Sequence, residues 1–253
     1  MMKPYWAVAV LLQLTLFAPA NVAQPLNPTA GLLLQFDGEN NLPAKERLLR
    51  TITDKDAVAG PSLLKLAEST SNSDTRWMAM RGIVTLRYAD AAPFLEKSLN
   101  DRDPLVRANA ARSLGDLGIK ASGDPLLAMF VAEKDPGALQ QASGALRSLN
   151  IKAAAPYLRE EIPDFTGQTR NWLIQALGYL GTAAMDVPLI AGYLDDSMTS
   201  DAAGEAIQEL TGVHLGARRP GLSSVPTRET LAARAWWLSH KDEWPRCDDC
   251  SRK

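Results

Sequence analysis

Cys247 and Cys250 are the only cysteines in the chain and sit together near its end, in WPRCDDCSRK. A Cys-x-x-Cys pair can close a disulfide, hold a metal or link to another chain, or cycle as a redox dithiol. A zinc site needs four ligands, and no second pair is present. Redox cycling needs a depressed thiolate pKa, and Asp248 and Asp249 between the sulfurs oppose that. A disulfide suits an exported chain and is the expected state, although so small a loop constrains few residues. His214 and His240 are the only histidines, and neither is followed by Glu to start a His-Glu metal pair. The acid pairs Glu160-Glu161 and Asp195-Asp196 could move protons, but each falls where a helix should end, among solvated turn residues. There is no G-x-S-x-G elbow, phosphate-cradling loop or dinucleotide fingerprint. The reading is therefore no catalytic residue, no cofactor and no metal. Trp77 and Trp172 remain, either as packing between helices or as an aromatic platform. Arg218-Arg219, in GARRPGLSSVP, is either a solvated loop or an anion grip.

The elements that would position these residues are helical and recurrent. DPLVRANAARSLGDLGIKASGD at 103–124 returns as DPGALQQASGALRSLNIKAAA at 135–155, with Asp103, Ala110, Leu114, Leu117 and Ile119 each repeated 32 positions later. A further copy, ALGYLGTAAMDVPL, matches RSLGDLGIKASGDPL at a shift of 63, so that Leu177 answers Leu114 and Pro188 answers Pro125. Self-similarity at this period marks a stack of small units, none able to bury its apolar side alone. Within one unit, Val106, Ala110, Leu114 and Leu117 make a single α-helical stripe. Asp103 suits the N-cap and Pro104 the first helical position. Gly115 and Gly118 mark the far end, where a left-handed cap is expected. Asp124-Pro125 reads as the cap of a second helix, LLAMFVAE. Each unit is thus helix, turn, helix, at roughly 42–70, 74–100, 103–133, 135–162, 166–195 and from 197 onward. No stretch alternates with a period of two. The expectation is an all-α, right-handed solenoid of about five to six hairpins.

The chain has 253 residues, 27 basic and 29 acidic, and a net charge of −2. It opens MMKPYWAVAVLLQLTLFAPANVAQP, with one Lys, an apolar run from Ala7 to Phe17 and small residues at Ala20 and Ala23. That run fits a signal-peptide core and is too short to span a bilayer. The domain reading is a signal peptide at 1–23, a linker at 24–41, the solenoid at 42–213, and a cap and tail at 214–253. Without the signal, 26 basic and 29 acidic residues remain. A mildly acidic chain with no basic block does not suit nucleic acid or anionic lipid.

The pattern D-P-x-V-R-x-x-A-A-x-x-L-G-x-L-G at 103–118 resembles a HEAT repeat of the short phycobilisome-lyase type. The resemblance implies that Asp103 caps the first helix and that Arg107 pairs with a neighbouring repeat. The fourth unit keeps Asp135 but has Leu139 at the Arg position, and the fifth keeps Arg170 but begins with Thr166. AIQELTGVHLG followed by ARAWWLSHKDEW is similar to the close of small bacterial HEAT proteins, where a last helix carries a Trp pair. The final unit of a stack must cover its outer apolar side, and Trp236 and Trp237 are the expected cap, with a carbohydrate or peptide platform as the alternative. Being adjacent, they point about 100° apart on a helix. With no bond-making group in sight, the functional expectation is a non-enzymatic scaffold of the bacterial envelope that binds an unidentified protein or peptide. A lyase-like or cofactor-chaperone role and a plain structural spacer are the alternatives.

Overall fold

The structure, a computed structural model, describes residues 28–215 and 228–244. The expected signal peptide, Arg218-Arg219 and the Cys247–Cys250 pair lie outside the described residues. Within them the chain is an all-α solenoid with no strand. After α1 (Pro28–Gly38), the helices pair as α2 (Leu42–Lys55) with α3 (Gly60–Ser69), α4 (Ser73–Thr85) with α5 (Ala92–Ser98), and α6 (Pro104–Leu117) with α7 (Gly123–Ala132). Next come α8 (Pro136–Ser148) with α9 (Ala155–Glu161), α10 (Gly167–Leu180) with α11 (Ala183–Ala191), and α12 (Ser200–Thr211) with α13 (Arg228–His240).

Four of the six first helices begin where a side chain satisfies their free N–H groups. Asn41 accepts from Ala44 N, Asn72 from Asp74 N and Thr75 N, Asp103 from Leu105 N, and Asp135 from Ala138 N. Four of the six stop at a residue with positive φ: Arg87 at 53°, Gly118 at 72°, Asn150 at 57° and Gly212 at 70°. Only Gly reaches that region without strain, and Asn is the next most tolerant. Arg87 offsets the cost by donating Nη1 to Asp116 O of α6 at 2.9 Å.

Two expectations are corrected. Asp124 does not cap α7: the helix starts one residue earlier, at Gly123, after a 3-10 turn over Lys120–Ser122, which leaves Asp124 exposed in the first turn. Nor is 28–38 a linker. It forms α1 because Phe36 is fully buried against the first hairpin, and because Thr29 donates to Asp56 and Thr70 to Asp37, both at 2.8 Å.

The first helices stack directly, α2 on α4 on α6 on α8 on α10 on α12. Small residues set the closest approaches. A Cβ on Gly115 would lie 3.0 Å from Ala145 Cα of α8, and one on Gly178 2.7 Å from Ala206 Cα of α12. Each second helix packs on the first helix of the following unit: α3 on α4, α5 on α6, α7 on α8, α9 on α10 and α11 on α12. The core is therefore one continuous strip running from Phe36 to Ala233.

Candidate functional site

Position 45, 76, 107, 139 or 170 falls at one place on successive first helices and carries Lys, Arg, Arg, Leu and Arg in turn. Each of the three arginines ties two inter-unit loops together. Arg76 donates to Thr70 O in the loop before its helix and to Asp101 Oδ2 in the loop after its hairpin, both at 2.9 Å. Arg107 repeats this, with Nη1 to Asp101 O at 2.9 Å and a two-pronged grip on Glu133 at 2.7 and 2.8 Å. Arg170 donates to Ile162 O and Pro163 O at 3.2 and 3.3 Å and reaches Asp196 Oδ2 at 3.5 Å. The acids are themselves held by backbone: Asp101 accepts from Asp103 N, Glu133 from Lys134 N and Asp135 N, and Asp196 from Met198 N. Burial alone would raise the Glu133 carboxyl, but the Arg107 hydrogen bond, the two backbone N–H donors and the Arg107 charge outweigh it. They hold it below the ordinary glutamate range.

Sequence reasoning reached this arrangement only in part. It expected Arg107 to pair with a neighbouring repeat but did not name the acids, which lie 25 or 26 residues beyond each arginine. Where Leu139 interrupts the ladder, the tie moves to the second helices. Arg159 of α9 meets Asp186 of α11 at 2.5 and 3.1 Å, and Asp186 also accepts from Thr182 N at 2.6 Å.

At the first rung, Lys45 is buried. Its ammonium donates to Thr75 Oγ1 at 2.6 Å and sits 5.4 Å from the centre of the Phe36 ring, which α1 supplies. Among the described residues no carboxylate lies within ion-pair distance of it. Burial pushes its pKa below the ordinary lysine value, and the charges of Asp74, Asp37 and Glu39 draw part of that back. The unfolded chain therefore keeps this proton to higher pH than the folded one, so stability rises with pH on the approach to the lysine range. Thermal unfolding at pH 8 and pH 10 should show a gain for the wild type that Lys45→Met flattens; equal slopes would remove this account.

The first helices carry a second set of interacting side chains. Arg81 reaches Glu46 of α2 at 3.2 Å and lies 5.9 Å from the Trp77 ring centre. Arg112 pairs with Asp116 one turn on, at 3.3 Å. Arg147 stacks over Tyr179 at 4.9 Å, and Gln175 donates to Glu205 at 3.0 Å. Trp77 and Trp172 are both half-buried; Trp77 packs against the core strip and donates its indole N–H to Asp74 at 3.1 Å.

Residues 60–147, from α3 to the end of α8, match a family model described as HEAT repeats. The chain carries HEAT repeats. A comparison with curated proteins finds no match. Beyond the matched span the helical hairpins continue through α10 and α12, which stack on their neighbours, and Arg170 ties α10 to the loop before α12.

At the end of the HEAT array, α13 packs on α12 through Ala233, fully buried, and through Thr230, which donates to Asp201. Arg234 donates to Leu194 O at 2.7 Å and reaches Asp195 at 3.4 Å. Trp236 and Trp237 are both half-buried against the core strip. Trp236 also stacks on His240, with centroids 5.0 Å apart and planes 19° apart, and meets Trp244 edge-on at 6.3 Å. His240 is engaged with Trp236 O at 2.8 Å, and His214 is exposed. Glu160 and Asp195 are exposed, and Glu161 lies 3.9 Å from Lys134. Among the described residues, no three His, Cys, Asp or Glu side chains gather as metal ligands, and no helix is long and apolar enough to cross a membrane. An open hollow of about 560 Å³ lies between α1 and α2, lined by Gln35, Gly38, Glu39, Ala44, Arg47, Leu48 and Thr51.

Proposed function

We propose that this HEAT array is a non-enzymatic scaffold of the bacterial envelope that binds a protein or peptide across its first-helix layer. One observation carries the reading. Six first helices stack without interruption, and long polar and aromatic groups, Arg81, Trp77, Arg112, Arg147, Gln175 and Tyr179, lie along them, with Arg81, Arg112 and Gln175 at equivalent positions of their repeats. Arginine and aromatic side chains supply much of the energy at protein interfaces. The rigid backing that such a surface needs comes from the loop-to-loop arginine ties, which fix each unit against the next. Export rests on the Lys3 and Ala7–Phe17 pattern, and a terminal capping role for Trp236 and Trp237 rests on their packing beyond α12.

The test is recovery of C-terminally tagged protein from the periplasmic fraction of a bacterial host. The expected result is a product that begins near residue 24 and retains a stoichiometric protein partner through washes of moderate salt. Recovery of only unprocessed cytoplasmic chain would refute the envelope assignment. A processed protein that retains no partner would refute the scaffold.

A further inference from the structure

Arg50, Arg81 and Arg112 stand on α2, α4 and α6 at steps of 31 residues, each five positions beyond the rung of its own helix. All three are exposed, unlike the rung residues. They share one surface: Glu46, one turn before Arg50, is the residue that Arg81 reaches across the α2–α4 boundary. The arginines are only loosely engaged. Arg81 and Glu46 are 45% and 48% exposed, and Arg112 and Asp116 are 62% and 47% exposed. Pairs this open add little to stability and exchange readily for another carboxylate. The row ends at Gly144 of α8, the next equivalent position.

We infer that Arg50, Arg81 and Arg112 form a docking track for an acidic peptide that crosses α2, α4 and α6 with a carboxylate at every third residue. This rests on the peptide-binding reading above and names the partner's chemistry. Packed helices lie about 8–10 Å apart. A polyproline-II segment has three residues per turn and rises about 3.1 Å per residue, so every third side chain points the same way at about 9 Å intervals. A β-extended peptide fails this match, because residues three apart point to opposite sides. Trp77 lies half-buried beneath Arg81, its ring centre 5.9 Å from the guanidinium, and backs that arginine on the track. A phosphate polymer or anionic bilayer is a poorer fit. Glu46, Asp54 and Asp116 lie exposed on the same helices as the arginines, and the whole chain has a net charge of −2, so no continuous positive field exists.

Selection from a random twelve-residue peptide display library with residues 24–253 tests this. The expected binders carry Asp or Glu at every third position. A synthetic binder should lose affinity by about tenfold or more for the combined Arg50→Gln, Arg81→Gln and Arg112→Gln variant, the combined effect expected of three exposed charge pairs. Circular dichroism and thermal unfolding confirm that the variant keeps its fold, which exposed substitutions should leave intact. Binders that the variant retains at full affinity, or acidic binders without the three-residue spacing, would overturn the track while leaving peptide binding in place. Enrichment of no peptide at all would remove both. Binding of heparin or of phosphatidylglycerol vesicles that the triple variant abolishes would instead assign the row to polyanions and overturn the peptide.

Discussion

Arg159→Met is expected to destabilise the protein by about 3–5 kcal/mol, the range for breaking a buried ion pair by removing one partner. Asp186 is fully buried and takes both prongs of the Arg159 guanidinium. In the variant its carboxylate keeps only the Thr182 N–H, in a place water does not reach, and a buried charge so poorly compensated is costly. The control is Arg159→Met combined with Asp186→Leu. Exchanging a whole buried pair for apolar groups is often neutral, so the double variant should regain much of the loss. Urea unfolding of the two single variants and the double variant yields the coupling between them. A single variant within about 1 kcal/mol of wild type would show that the pair is not the tie between the fourth and fifth units.

Leu114→Asp is expected to cost about 4 kcal/mol or more, because it places an unpaired carboxylate in a site with no solvent access. Leu114 lies at the middle of the α6 stripe with Val106 and Ala110, all fully buried, and α6 touches both of its neighbours in the stack as well as α5. A loss of that size lowers the unfolding midpoint by roughly 10 °C in a chain of this length. Leu114→Met keeps the volume and should cost less than about 1.5 kcal/mol. If the two variants unfold together, Leu114 is not where the core strip passes.

The solenoid was legible in the residues because its repeats are nearly literal. A capping Asp followed by Pro, an apolar stripe and an Ile-Lys-Ala exit recur at a fixed spacing, and each has a local physical cause. Elements governed by distant contacts were less legible. The Pro, Gly and Asn around α1 read as a linker, and it is tertiary burial of Phe36 and two long-range threonine hydrogen bonds that make the segment a helix. Asp124 has the composition of a cap, but the preceding 3-10 turn starts the helix a residue early. Of the side chains along the first helices, the residues alone singled out Trp77, Trp172 and Arg107, and not the rows around them. A row appears only when positions 31 and 32 apart are compared on the helix surface as well as in the core. The partners of the arginine ties were hidden for the same reason: each joins a first-helix arginine to an acid 25 or 26 residues on, in a loop that has no motif of its own.

In this chain a second helix does not finish its own hairpin; it finishes the next one. Each module is therefore left open on its trailing side and closed on its leading side, and the strip can be extended or trimmed only in multiples of the repeat. A partner that recognises several modules meets a ruler whose gradations are set by helix diameter.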